Sequence, residues 1–113
     1  MKINFIPTPE FTREYKRLAK KYPSLKADLK LFQEELIKKP DSGTELGGNI
    51  RKIRISIKSK NKGKSGGARI ITYHVIASLI EKSIILIAIY DKSESETISD
   101  KEIKGLLQSN GYI

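Results

Sequence analysis

The chain has 113 residues and no cysteine, which is enough for one domain and excludes disulfides, thiolate metal sites and a cysteine nucleophile. Its single histidine, His74, excludes a metal site built from several histidines. The formal net charge is +9, no apolar stretch approaches the roughly 18–20 residues of a membrane helix, and the N-terminus does not resemble a signal peptide, so we expect a cytoplasmic protein without a membrane partner.

The positive charge is concentrated in one segment. Residues 46–80 contain no aspartate or glutamate, and the rest of the chain is almost neutral. The basic residues of this segment are Arg51, Lys52, Arg54, Lys58, Lys60, Lys62, Lys64 and Arg69. So dense an excess predicts a polyanionic or acidic partner, whereas the plainer interpretation is a solvated lysine-rich loop.

The first forty residues predict a strand and two helices. Residues 2–6 alternate between apolar and polar side chains, which is typical of a short strand. Thr8 and Pro9 are N-terminal helix signals, and Pro23 separates this helix from a second one predicted over residues 24–39. Both helices carry an apolar stripe, so together they form a hairpin that can cover one face of a sheet.

Strand patterns dominate the remainder. The predicted elements are a loop over 41–49, a strand over 52–58, a flexible turn over 59–67, a strand over 68–77, a turn at Glu81-Lys82, a buried strand over 84–90 and a helix opened by the capping box Ser99–Glu102. The sequence therefore predicts one α+β domain over residues 1–113 with the order β-α-α-β-β-β-α, in which the helical hairpin packs on an antiparallel sheet.

Alternation along the strands predicts which side chains share a face. Lys52, Arg54 and Lys58 point away from the isoleucines of their strand, and Arg69 shares a face with Tyr73 on the next. If the hairpin covers the isoleucine face, the opposite face is cationic and partly aromatic, which suits phosphate contact and base stacking. The plainer role for Tyr73 is cross-strand packing.

The remaining polar residues give little support for metal chemistry. Asp91, Glu94 and Glu96 are the only clustered acids near a strand end, but their spacing is not that of a metal site and predicts a solvated loop. His74 falls on the face opposite Tyr73 and is expected to be an ordinary core residue. The composition is compatible with RNA cleavage by 2′-OH attack that needs neither metal nor cofactor, because crowded lysines can move protons and stabilise charge.

Three segments resemble the RelE/ParE superfamily of bacterial toxins. They are residues 49–55 (Asn-Ile-Arg-Lys-Ile-Arg-Ile), 63–71 (Gly-Lys-Ser-Gly-Gly-Ala-Arg-Ile-Ile) and 89–94 (Ile-Tyr-Asp-Lys-Ser-Glu), and the second is most similar to the HigB-like branch. The resemblance implies a toxin of a type II toxin–antitoxin system that cleaves mRNA on the ribosome and is neutralised by an antitoxin encoded next door. It implies no small-molecule cofactor.

The resemblance also assigns site residues. Lys52 and Arg54 match the family's paired basic residues, and Arg69 matches the arginine that contacts the scissile phosphate. Where family members have an arginine after the strand-end lysine, Ser93 follows Lys92 here, and Lys92 is the candidate replacement. We expect Arg69 to lie at the surface.

The charge and alternation patterns extend this set to an RNA-binding surface. Its candidate residues are Arg51, Lys58, Lys60, Lys62 and Lys64 for phosphate contact, with Tyr73 and Tyr90 for base stacking.

Two alternatives remain open at this stage. A ParE-like gyrase inhibitor has the same fold and no nuclease activity, and it is favoured by the absence of a tyrosine from residues 95–102, where the family has a catalytic one. A non-catalytic nucleic-acid- or partner-binding module would need only the basic charge.

Overall fold

The chain folds into five strands and three α-helices over residues 2–95 and 97–113, which are the residues that the computed structural model describes. In chain order the elements are β1 (Lys2–Pro7), α1 (Pro9–Lys21), α2 (Leu25–Lys38), β2 (Thr44–Gly47), β3 (Ile50–Ile55), a short 3-10 helix (Lys58–Lys60), β4 (Ala68–Ile76), β5 (Glu81–Asp91) and α3 (Asp100–Ser109). No helix in these ranges has the length and apolar content needed to cross a bilayer.

The strands form one sheet with the order β1-β5-β4-β3-β2. β1 runs parallel to β5, and the other neighbouring pairs are antiparallel. β5 lies between β1 and β4 and is buried over most of its length, as its continuous apolar run predicted. The predicted α+β fold, with a helical hairpin on a largely antiparallel sheet, is confirmed.

The helix signals in the sequence place the helix ends well. The Thr8 hydroxyl accepts a hydrogen bond from the Phe11 N–H and caps α1, with Pro9 in its first turn. At α3 the capping box forms, because the Ser99 hydroxyl accepts from the Glu102 N–H while the Glu102 carboxylate accepts from the Ser99 N–H. These local interactions fix the ends of the elements that cover the sheet.

The sheet differs from the prediction in three places. Residues 44–47 of the predicted loop form β2, because Gly47, Gly48 and Asn49 adopt positive φ and turn the chain back beside β3. The strand predicted over residues 52–58 is β3, shifted to 50–55. The turn predicted at Glu81-Lys82 lies earlier, over residues 77–80, because Glu81 already begins β5 and pairs with Lys2 of β1.

The two faces of the sheet are covered differently. The face covered by α1 and α2, here called the hairpin face, is a continuous apolar core that includes Ile53, Ile70, Ile84 and Leu86. The other face, here called the α3 face, has a smaller core in which Ile71, Ile85 and Ile87 pack against Ile103 and Leu107 of α3. A single short helix cannot cover a five-stranded sheet, so α3 leaves one end of this face without a helix over it.

Candidate nucleic-acid interface

Three neighbouring strands place Arg54, Arg69 and Tyr90 directly opposite one another. Arg54 of β3 pairs with Arg69 of β4, and Arg69 pairs with Tyr90 of β5. Opposed side chains of antiparallel strands lie on one face with Cβ atoms about 4.5–5.5 Å apart. Lys52 lies on the same face of β3, two residues before Arg54. We call these four residues the basic row. Tyr90 belongs to the apolar cluster of the α3 face, so Lys52, Arg54 and Arg69 lie on that face, whereas Lys58, which was expected beside them, lies beyond the end of β3.

The centre of the α3 face is not open. Tyr73 packs against Tyr112, with ring centroids 5.9 Å apart, and belongs to the cluster beneath α3. The expectation that Tyr73 would stack on a base is therefore wrong for this structure, and the plainer packing role holds. The cause is the apolar middle of this face, which α3 covers to remove Ile71, Ile85 and Ile87 from water.

Arg69 is only 5% exposed, so the expectation that it would lie at the surface is wrong. Its Nη1 donates to the carbonyl oxygens of Lys64 at 2.9 Å and Ala68 at 3.2 Å, and its Nη2 donates to that of Ser65 at 3.4 Å. The loop before β4 thus folds back over the start of the strand and covers the guanidinium. Carbonyl oxygens satisfy its donors without cancelling its charge, so a full positive charge remains at the base of the loop.

Tyr90 is half-buried, and its hydroxyl oxygen is buried without a hydrogen-bond partner among the described residues. A buried hydroxyl that lacks a partner costs about 1–3 kcal/mol, so such groups call for an explanation. Its position opposite Arg69 places a proton-carrying group at the end of the basic row.

Lys60 belongs to a buried cluster on the hairpin face and not to an RNA-contacting surface. Its Nζ lies 2.7 Å from Asp91 Oδ1, and the two side chains are 7% and 0% exposed. The Tyr22 hydroxyl donates to the other carboxylate oxygen of Asp91, and the Tyr22 ring lies 5.2 Å from Lys60 Nζ. The assignment of Lys60 to RNA contact is therefore wrong, because Asp91 cancels its charge inside the protein.

The expectation of a solvated acidic loop is wrong for Asp91 as well. Burial alone would raise the pKa of Asp91, but hydrogen bonds from Lys60, Tyr22 and Ser93 outweigh it and hold that pKa well below its usual range. Glu94 is an exposed acid paired with Arg17 and Lys21, and Glu96 lies outside the described residues. The sequence did contain a signal: a carboxylate that ends a buried strand needs a partner.

Arg51 also lies apart from the basic row. Its position in β3 alternates with Lys52, so it faces the opposite side of the sheet. Nη1 donates to the Asp41 carbonyl oxygen at 2.6 Å, and Nη2 lies 3.3 Å from Glu45 Oε2. Arg51 therefore holds the loop before β2 in place, and the structure does not bring it to the predicted RNA surface.

The other five basic residues of the segment have no ion-pair partner in residues 2–95 and 97–113. They are Lys52, Arg54, Lys58, Lys62 and Lys64, and all but Lys52 are exposed. Lys58 lies in the 3-10 helix and not on β3, because β3 ends at Ile55. Lys92 follows β5, and its N–H donates to the Gly67 carbonyl oxygen at 3.0 Å, which places it beside the start of β4.

His74 is a core residue, as expected. It is 8% exposed, and its Nε2 lies 3.0 Å from the Thr72 hydroxyl oxygen. Burial, assisted by the positive charges of Lys82 and Arg51, lowers the pKa of His74 to about 4. Since it alternates with Arg69 and Tyr73 along β4, it faces away from the basic row.

A family model described as the RelE toxin of the RelE/RelB toxin–antitoxin system matches residues 10–112. The chain belongs to the RelE toxin family. Toxins of this family generally cleave mRNA, and each has an antitoxin partner. In this toxin the matched region contains the whole of the basic row, α3, and the segment of residues 56–67 between β3 and β4, here called the basic loop.

Proposed function

We propose that this toxin is a ribosome-dependent mRNA endonuclease of a type II toxin–antitoxin system. The observation that carries the proposal is the basic row, in which two guanidinium groups and a phenol lie opposite one another across β3, β4 and β5. The exposed Arg54 can hold a phosphate, the covered Arg69 adds its positive charge beside it, and Tyr90 can supply a proton-transfer group. The element of residues 63–69 (Gly-Lys-Ser-Gly-Gly-Ala-Arg) supports placing the toxin in the HigB-like branch.

The reaction we propose uses the RNA's own nucleophile. A 2′-OH attacks the adjacent phosphorus, the P–O5′ bond breaks, and the products are a 2′,3′-cyclic phosphate and a 5′-OH. One group accepts the 2′-OH proton, and another donates a proton to the leaving O5′. Arg54 and Arg69 would stabilise the negative charge that grows on the phosphate oxygens, with Lys52 as a third cation.

Proton transfer falls to the groups at the strand ends. Tyr90 is a candidate because its hydroxyl has no partner among the described residues and Arg69 lies opposite it. Lys92, the residue directly after β5, is a second candidate as a proton donor or a cation.

The exposed lysines beside the row give the proposed path of the RNA backbone. Lys58, Lys62 and Lys64 project from the segment that joins β3 to β4, and they pair with no carboxylate in the described ranges. Phosphate contacts of this kind position the RNA without reading its sequence. Codon selection then comes from the ribosome, which presents the mRNA in the cytoplasm.

Inducible expression followed by primer extension on cellular mRNAs tests the proposal. We expect discrete cuts within translated regions. Arg54→Ala should reduce cutting on the order of 100-fold. Arg13→Ala is the control and should cause no loss, because Arg13 is an exposed residue of α1 and lies away from the basic row. Co-expression of the neighbouring antitoxin should suppress the cuts. DNA damage without mRNA cuts would overturn the proposal in favour of gyrase inhibition.

A further inference from the structure

Residues 61–66 of the basic loop, here called the lid, lie between two fixed points. Before the lid, Lys60 is held by its buried ion pair with Asp91. After it, the Gly67 carbonyl oxygen accepts a hydrogen bond from the Lys92 N–H at 3.0 Å. Gly67 also lies so close to β3 that a Cβ there would be 2.0 Å from a carbonyl oxygen of that strand. Both ends of the lid are therefore fixed against the sheet.

The lid itself is weakly held. Residues 61–65 are all exposed and include no apolar side chain, so hydrophobic burial does little to keep them in place. Among the described residues, the hydrogen bonds that join the lid to the start of β4 are two from Arg69, to the Lys64 and Ser65 carbonyl oxygens, and one of 3.4 Å from the Gly67 N–H to Lys64. Exposed segments with so few buried contacts open locally at little cost, because water replaces the lost hydrogen bonds.

The lid covers the guanidinium group of Arg69. This residue is 5% exposed, although Arg54 directly opposite it in the sheet is exposed. The carbonyl oxygens of Lys64 and Ser65 lie 2.9 and 3.4 Å from its terminal nitrogens, at positions where the oxygens of an anion would bind. A hydrogen bond to a charged oxygen is roughly twice as strong as one to a neutral oxygen, so a phosphate can displace the two carbonyl groups.

We propose that the lid opens when the toxin binds RNA, and that a phosphate then takes the places of the Lys64 and Ser65 carbonyl oxygens on Arg69. In the free toxin the closed lid blocks access to Arg69, and bound RNA stabilises the open form. The identity of the anion rests on the proposed function. The movement of the lid does not, and it can be measured without RNA.

Two glycines of matching conformation provide the test and its control. Gly63 of the lid has φ +62° and Gly48 of the turn between β2 and β3 has φ +59°, and a Cβ at either position meets no atom within 4 Å. Alanine strains both positions, because residues with a Cβ disfavour the left-handed region. In Gly63→Ala the strain destabilises the closed lid and is released when the lid opens. In Gly48→Ala it falls on a turn outside the lid.

The first measurement detects opening of the lid in the absence of RNA. Phenylglyoxal modifies accessible arginine side chains, and peptide mass spectrometry follows Arg54 and Arg69 in one reaction. We expect Arg54 to react rapidly in every protein and Arg69 to react slowly in wild type. Gly63→Ala should speed the modification of Arg69 about fivefold, equivalent to about 1 kcal/mol, and Gly48→Ala should leave it unchanged.

The second measurement is the affinity for a short, fluorescein-labelled 2′-O-methyl RNA, which lacks the 2′-OH nucleophile and so cannot be cut by the proposed reaction. The apparent affinity is proportional to the fraction of toxin whose lid is open. We expect Gly63→Ala to bind this RNA about fivefold more tightly than wild type in fluorescence anisotropy, and Gly48→Ala to bind it equally. Damage to a preformed site would instead lower the affinity.

Equal rates of Arg69 modification in wild type and Gly63→Ala would overturn the proposal, because the lid would not control access to Arg69. Unchanged or weaker RNA binding by Gly63→Ala would overturn it as well. Asn61→Ala strains a second lid residue of positive φ and should produce the same two increases. A toxin that shows both increases but cuts no mRNA would leave the lid standing and overturn the proposed nuclease function.

Discussion

Tyr90 and Asp91 are consecutive residues of β5 that face opposite sides of the same sheet end. Asp91 is buried on the hairpin face with Lys60, so a positive and a negative charge cancel there. Tyr90 lies on the α3 face opposite Arg69, whose charge no carboxylate in the described ranges cancels. Two clusters one residue apart therefore differ in kind: one is closed and neutral, and the other has an excess of positive charge.

The basic loop joins the two clusters. Lys60 anchors its beginning to Asp91, and the carbonyl oxygens of Lys64 and Ser65 anchor its end to Arg69. A segment with the composition of a flexible turn is thus held at two points, one on each face of the sheet. The counter-ion across the fold, and not the position in a basic run, therefore decides whether a lysine is available to a partner.

The largest expected effect comes from opening the closed cluster. Asp91→Ala leaves the Lys60 ammonium group buried without its counter-ion, and we expect the free energy of unfolding to fall by about 3–5 kcal/mol. Urea denaturation followed by circular dichroism measures this. Glu94→Ala is the matched control, because Glu94 pairs with exposed cations, and it should cost less than about 1 kcal/mol. Equal stabilities of the two variants would show that the cluster is not buried in solution.

Substitution of Arg69 should lower both the stability of the fold and the rate of RNA cleavage. In Arg69→Lys we expect the free energy of unfolding to fall by about 1–3 kcal/mol, because an ammonium group cannot reach all three carbonyl oxygens that the guanidinium satisfies. We expect RNA cleavage to fall on the order of 100-fold as well. Arg54→Ala should lose cleavage with its stability changed by less than about 0.5 kcal/mol, since Arg54 is exposed. A stable Arg69→Lys variant with full cleavage would contradict both roles of Arg69.

The sequence predicted the elements better than the environment of single side chains. Apolar periodicity and the capping signals at Thr8 and Ser99 depend on neighbouring residues, so the helices were predicted close to their observed ends. Alternation also placed Lys52, Arg54 and Arg69 on one face, because a strand's period of two is fixed by its backbone.

Long-range contacts account for what the sequence did not predict. The Lys60–Asp91 pair joins residues 31 positions apart, and the Tyr22–Asp91 hydrogen bond joins residues 69 positions apart. No local pattern contains such information. Tyr73 was misassigned for the same reason, because its burial depends on Tyr112 and the placement of α3.

The hairpin face also buries His74, whose titration should destabilise the fold in mild acid. Burial lowers the pKa of His74 to about 4, while the unfolded chain has a histidine pKa near 6.5. Between these two pH values the unfolded state binds more protons than the folded state. The contribution of neutral His74 to the free energy of unfolding is therefore fully present above about pH 6.5 and decreases as the pH falls towards 4. We expect a loss of about 3 kcal/mol from this group between pH 7 and 4. Urea denaturation of wild type and His74→Gln from pH 7 to 4 isolates the contribution of His74. If the free energy of unfolding fell equally with pH in the two proteins, His74 would not be the cause of the loss.

The smallest expected effect is a difference in the salt dependence of RNA binding between variants of Lys60 and Lys62, which lie two residues apart. Lys62 is exposed and has no ion-pair partner in the ranges that the structure describes, so Lys62→Ala should reduce the salt dependence of single-stranded RNA binding by about one unit of log–log slope. The double variant Lys60→Met/Asp91→Asn removes a buried pair without changing the net charge, and its slope should match that of wild type. Titrations of labelled RNA from low to moderate salt measure all three slopes. If the double variant lost as much slope as Lys62→Ala, Lys60 would contact RNA despite its burial, and the distinction between the closed and the open cluster would fail.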